Sequence, residues 1–324
     1  MERQSSHPTG GVDYPRTMQE FDEWFSSEDA CTWYLAKLRW PDGFVCPSCG
    51  VAKGWMTARG QMRCAACQRQ TSVMAGTLFE GTRKPLRLWF QAAWYVTSQK
   101  FGGNALGLQR VLGFGSYQTA WTWLHKMRNA MVRPGRERLS GRVEVDETYV
   151  GGKEEGVSGR FTEKKAVVAV AVEVHEPKGF GRVRLRQMPD VSSASLVGFV
   201  QEVVTPGSTI LTDGWKSYDS LPQHGYHREK IVLSASGDPA HVALPGVHRV
   251  ASLLKRWLLG THQGAVSNKH LAYYLDEFTF RFNRRASHAR GLLFYRLLHQ
   301  AVHADPLRYR QIVDRKDHPL GPAG

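Results

Sequence analysis

Four cysteines offer the first chemistry in this chain. Cys46 and Cys49 lie in CPSCG, and Cys64 and Cys67 lie in CAACQ. Each C-x2-C turn can point two thiolates at one ion, and two such turns close a tetrahedral all-thiolate shell around Zn2+. Fourteen residues separate the turns, slightly fewer than the roughly 15–20 usual for the pattern. No further ligand type suggests an open coordination position, so the expected zinc is structural. A second group is Asp146 in VEVDETYVGG and Asp213 in TDGW. Paired carboxylates on neighbouring strands take hard cations such as Mg2+ or Mn2+. Two such ions about 3.5–4 Å apart can activate an attacking oxygen and stabilise a leaving one in phosphoryl transfer. Either acid alone is a weak signal, because strand acids are common and an Asp can simply end a strand. The third group is His248 and Lys255 in GVHRVASLLKRWLLG. Seven steps of about 100° fall about 20° short of two helical turns, so both leave a helix on one side. That side borders an apolar stripe of Val247, Val250, Ala251, Leu254 and Leu258.

The elements that must hold these residues follow from periodicity. GRVEVDETYV alternates, with Val143 and Val145 on one face and Glu144 and Asp146 on the other. KAVVAVAVEV reads as a central strand, GRVRLRQM as a third, SSASLVGFVQEVV as a helix, and STILTDGW as a fourth strand ending at Asp213. Three consecutive strands are expected to be antiparallel, and the crossover helix makes the fourth parallel to its neighbour. This topology can bring the two acids side by side. Between Cys49 and Cys64 the segment has the Gly and polar residues of a β-hairpin. Cys31 lies in an amphipathic helical pattern and is expected to be a buried small residue.

From Pro85 onward the pattern is helical. NALGLQRVL, the break GFGS and YQTAWTWLHKMRNAM suit a helix-turn-helix. Its second helix offers Gln118, Thr119, Thr122, Lys126 and Arg128 as candidate DNA contacts. Trp121 and Trp123 cannot both be buried in one stripe. The 324 residues carry a net charge of +14, which favours a polyanionic partner, nucleic acid first. The longest aliphatic run, Ala166 to Val172, is too short to span a bilayer, and the N-terminus lacks the apolar core of a secretory signal. A cytoplasmic protein with no membrane partner is expected, and such a compartment disfavours structural disulfides.

RWPDGFVCPSCG, CAACQRQTSVMAGTLFEGTRKPLRLWF, VEVDETYVGGKE, LTDGWKSYDSL and HRVASLLKRWLLGTHQGAVSNKHLAYYLDEFTFRFNRR occur in order over most of residues 20–285. Together they resemble the zinc-ribbon DDE-type transposases of bacterial insertion sequences, in the insertion sequence 1595 or ISXO-like family. The resemblance implies an α/β fold: an RNase H-like mixed-sheet catalytic core, preceded by a zinc ribbon and a helix-turn-helix-like DNA-binding region. It implies binding to terminal inverted repeats, then DNA cleavage and strand transfer to target DNA with two Mg2+ or Mn2+ ions. Asp146 and Asp213 match the first two metal positions. His248 stands at the third, where an acid is usual, and Lys255 at the Lys seven residues on, a phosphate contact. A homodimer or larger assembly on DNA is expected by analogy.

The expected divisions are a helical segment at 1–40, a zinc ribbon at 41–80, the helix-turn-helix region at 81–135, the catalytic domain at 140–285 and a basic tail at 286–324. Two other functions fit parts of the sequence. One is a non-catalytic zinc-ribbon DNA-binding regulator, in which Asp146 and Asp213 are dispensable. The other is an RNase H-like nuclease without a joining step.

Overall fold

Short polar side chains start the first helices. Thr17 accepts the Glu20 N–H at the head of α1 (Met18–Trp24), and Ser27 accepts the Ala30 N–H at the head of α2 (Glu28–Arg39). Cys31 is buried in α2, as expected. The computed structural model describes residues 7–133, 135–152, 165–175, 177, 179–231 and 244–314. They form two compact units, one of residues up to 133 with those from 286, the other of 134–285.

In the first unit, β1 (Gly54–Met56), β2 (Gln61–Cys64) and β3 (Gln70–Ser72) make a small antiparallel sheet in that order. The hairpin expected between the cysteine pairs is β1–β2. Next comes α3 (Leu86–Ser98), which starts at Pro85 without a side-chain cap of its own. The Glu28 carboxylate supplies one from α2, accepting the N–H groups of Leu86 at 2.8 Å and Arg87 at 2.9 Å. α4 (Ala105–Leu112) ends on Gly113, whose φ of 65° is the left-handed turn that favours glycine. Ser116 then caps α5 (Tyr117–Ala130). The helix-turn-helix order expected from sequence is therefore present. Trp123 is buried and stacks on Trp89 at 3.6 Å, while Trp121 is only half-buried on another side.

The second unit is built on a five-stranded sheet in the order β6-β5-β4-β7-β8. β4 (Arg142–Val150), β5 (Ala166–Val174) and β6 (Phe180–Met188) are antiparallel neighbours. α6 (Ser193–Val203) crosses over to β7 (Thr209–Thr212), which runs parallel to β4, and β8 (His227–Lys230) runs parallel to β7. The edge strand β8 was not expected; HREK is charged and lacks any apolar alternation. One sheet face packs Val143, Val145, Ala169 and Ile210 against α6. The other packs Val168, Val170, Val172 and Val183 against α7 (Pro245–His262) and α8 (Leu271–Phe282). The α7 stripe read from sequence is buried as expected.

The segment after 285 departs from the expected basic tail. α9 (Arg290–Ala301) and α10 (Tyr309–Val313) belong to the first unit. Phe294 of α9 is fully buried, with its ring 5.5–5.9 Å from those of Phe21, Phe25, Phe90 and Trp94. Leu293, Phe294, Leu297, Leu298 and Ala301 recur at helical spacing between the basic residues, and that stripe drives the burial. Residues 315–324, read as the tail's end, lie outside the described residues.

Candidate functional site

The two acids lie on or beside adjacent strands. In the parallel β4–β7 pair, Arg142 faces Thr209, Val143 faces Ile210 and Glu144 faces Leu211. Asp146 lies two residues beyond Glu144 at mid-strand, and Asp213 lies two beyond Leu211, just past the end of β7. Adjacent strands lie about 4.8 Å apart, and residues in parallel register share a face. Asp146 therefore sits on the same side as Glu144, and that side meets α7. Asp213 accepts the Trp215 N–H at 3.0 Å, which shapes its turn. Asp146 accepts the Glu147 N–H at 2.9 Å.

Two neighbours report the charge gathered here. Tyr218 is fully buried and donates to Glu147 Oε2 at 3.2 Å. Its phenol is held well above the usual tyrosine range, first by burial and then by the carboxylates of Glu147, Asp146 and Asp213. Both candidate acids therefore act on one buried hydroxyl. Arg228, on β8, grips the Asp213 turn, with its guanidinium 6.0 Å from the centre of the Tyr218 ring. It donates to Thr212 Oγ1 at 3.0 Å, Asp213 O at 3.1 Å and Trp215 O at 3.0 Å, and it pairs with Asp219.

His248 lies in the first turn of α7 and is half-buried. The helix start is pinned to β4, because the preceding residue, Val247, donates its N–H to Glu144 Oε2 at 2.9 Å. Lys255 is exposed two turns along. Partial desolvation, and then the Lys165 ammonium, hold it below the usual lysine range.

The cysteines form a tighter group. The Cys46 and Cys67 sulfurs are 3.6 Å apart, those of Cys49 and Cys64 are 3.5 Å apart, and all four lie within 4.8 Å of one another. A tetrahedron with Zn–S near 2.3 Å has an edge of about 3.8 Å, whereas a disulfide would need about 2.05 Å. The N–H groups of Cys49 and Ser48 lower the Cys46 thiol to about 6, and the Cys67 N–H leads the lowering of Cys64. Such amides favour the thiolate form that a metal requires. Among the described residues, this is the group of three or more potential ligands that closes to such a spacing.

The candidate DNA contacts of α5 divide by exposure. Gln118 is exposed, and Thr119, Thr122 and Lys126 are partly exposed. Arg128 is only 1% exposed and is among the largest fully buried side chains. It lies on the same side of α5 as Leu124 and cannot reach out to a phosphate, which corrects the expectation from sequence.

Comparison with known proteins completes the picture. Residues 138–283 match the ISXO2-like transposase domain, and residues 26–70 match the transposase zinc-ribbon domain. A protein in transposable element ISH50 of Halobacterium salinarum is 28% identical over 276 residues, covering 79% of this chain and 91% of the relative. A transposase-like protein of Haemophilus influenzae is 30% identical over 96 residues, covering 30% of this chain and 76% of the relative. The chain belongs to the insertion sequence 1595 transposase family. The transposase domain runs from just before β4 to Asn283, whose side-chain amide pairs with the Val183 backbone on β6. The zinc-ribbon domain includes all four clustered cysteines, which fit structural zinc. Among the described residues of this transposase, no helix is long and apolar enough to cross a membrane.

Sequence reasoning missed the roles of two groups in the transposase. Glu144 shares a face with Asp146, a signal that was visible, but its partner is a backbone amide 103 residues away. Arg228 lies on a strand without a strand pattern. The basic run near 281–285 is also structural: Arg281 pairs with Glu277, and Arg285 donates to the Phe180 and Gly181 carbonyls.

Proposed function

We propose that this transposase binds the terminal inverted repeats of its own insertion sequence, cleaves DNA there and joins the freed end to target DNA. The observation that carries this reading is that β4, which bears Asp146, and β7, which ends one residue before Asp213, are adjacent parallel strands, within a domain of the transposase family. Two carboxylates with an imidazole make a donor set suited to Mg2+ or Mn2+, and the imidazole tilts the preference toward Mn2+. When bound, two such ions stabilise charge on the phosphodiester oxygens and make the attacking oxygen more nucleophilic.

The chain's own residues then have separate tasks. Asp146 and Asp213 supply anionic oxygens, and their strands fix the spacing. His248 supplies a neutral nitrogen at the third position, so this site holds one negative charge fewer than three carboxylates would. Lys255 holds a backbone phosphate by charge. In the first step water attacks phosphorus and the P–O3′ bond breaks, leaving a 3′-hydroxyl and a 5′-phosphate. In the second that hydroxyl attacks a target phosphodiester in line, its proton leaves to solvent, and the target's own 3′-oxygen departs. No side chain becomes covalently attached. Gln118, Thr119, Thr122 and Lys126 contact the repeat, the zinc-loaded ribbon supports that binding, and synapsis of two ends requires at least a dimer on DNA.

A strand-transfer assay with terminal-repeat duplex, Mg2+ or Mn2+ and an Asp213→Ala control tests the reading. Joined product that disappears in Asp213→Ala is expected. Cleavage without joining would identify a nuclease. Repeat binding that is indifferent to the two acids, with no cleavage, would identify a regulator.

A further inference from the structure

We infer that Glu144 is a positioning residue, which holds the helix bearing His248 in register with the strand bearing Asp146. The inference rests on the proposed metal site and names the contact that assembles it. α7 begins at Pro245 and has no side-chain cap of its own. In its place the Glu144 carboxylate, 2% exposed, accepts the Val247 N–H at 2.9 Å. A carboxylate satisfies and complements the positive end of an 18-residue helix. Gly246 permits the close approach. A Cβ there would stand 2.8 Å from Glu144 Oε2 and 2.9 Å from the Phe180 ring.

The economy of this arrangement points to placement. A buried carboxylate is expensive to keep, and Glu144 is 2% exposed. A Ser or Asp at position 244 would cap the helix locally with no such cost. A cap drawn from β4 does something a local cap cannot. It ties the residue before His248 to the residue two before Asp146, on the same strand face. Glu28 caps α3 in a similar way with no candidate site beside it, so a test must separate placement from simple helix docking.

The experiment titrates Mn2+ into the zinc-loaded full-length protein, followed by the free-ion EPR signal, and records thermal unfolding in parallel. Glu144→Gln keeps the shape, weakens the acceptor and removes the charge. It is expected to weaken Mn2+ binding by about tenfold, the low end of what residues orienting metal ligands contribute. Val143→Ala, on the opposite sheet face, should lower the melting temperature and leave Mn2+ affinity unchanged. Asp146→Ala should abolish binding. If Asp146→Ala abolishes binding while Glu144→Gln leaves it unchanged, the inference about Glu144 is overturned and the metal site stands. If Asp146→Ala leaves binding intact, both are overturned. If Val143→Ala weakens Mn2+ as much as Glu144→Gln does, the Glu144 effect is general destabilisation and the inference falls.

Discussion

Arg228 gives the sharpest stability and activity prediction. Its guanidinium, with a side chain only 8% exposed, makes three hydrogen bonds along the 212–215 turn and pairs with Asp219, whose side chain is 57% exposed. The planar fork reaches these partners because its donors diverge in fixed directions; a lysine ammonium is a point charge and cannot span them. Arg228→Lys should keep the Asp219 pair, worth about 0–1 kcal/mol at such exposure. It should lose about two bonds to the turn at roughly 1 kcal/mol each, for a cost of about 2 kcal/mol. For a unit of this size that is a fall in melting temperature of about 4–8 °C. The turn carries Asp213, so strand cleavage should fall by more than the loss of folded protein explains. The Trp215 amide, which bonds Asp213 Oδ1, should exchange faster. Arg142→Lys is the control. Its pair with Glu229 on the same sheet is exposed at 37% and 48%, and its replacement should cost about 0–1 kcal/mol. A melting temperature for Arg228→Lys within 1 °C of wild type, with normal cleavage and normal Trp215 exchange, would refute the clamp.

Four further outcomes follow from the same geometry. Asp146→Ala and Asp213→Ala should each abolish cleavage of terminal-repeat DNA; His248→Ala should impair it strongly, and His248→Glu should retain part of it and shift preference from Mn2+ toward Mg2+ in the same assay. Stripping zinc should expose four of the five cysteines to a maleimide, leaving Cys31 protected in its fully buried position, as mass spectrometry would count. Gly246→Ala should destabilise the second unit by about 1–3 kcal/mol in denaturant unfolding, because the added methyl meets Glu144 and Phe180. Gln118→Ala should weaken repeat binding in a gel-shift titration without changing the melting temperature, whereas Arg128→Ala should lower the melting temperature, since Arg128 is buried.

What could be read from the sequence divides along a physical line. The cysteine turns, the alternation around Asp146 and the α7 stripe are local patterns, in which spacing alone carries the geometry, and each lies where the residues indicated. The parallel pairing of β4 with β7 was readable because a crossover helix dictates a parallel neighbour. Arg128, Arg228 and Glu144 were not readable, for one shared reason. A charged side chain is assigned to solvent by default, and its burial depends on partners distant in the chain: a backbone amide for Glu144, and for Arg228 the carbonyls of a turn that β8 reaches only by pairing with β7. The same default misread α9, where basic residues flank an apolar stripe that fills an aromatic core. The residues that escaped are thus the ones that join elements together. The acids themselves lie on or just past single strands, whereas Glu144 ties the helix bearing His248 to β4 and Arg228 ties the Asp213 turn to β8. Substitutions at these two joints should therefore weaken the proposed metal site without removing any of its proposed ligands.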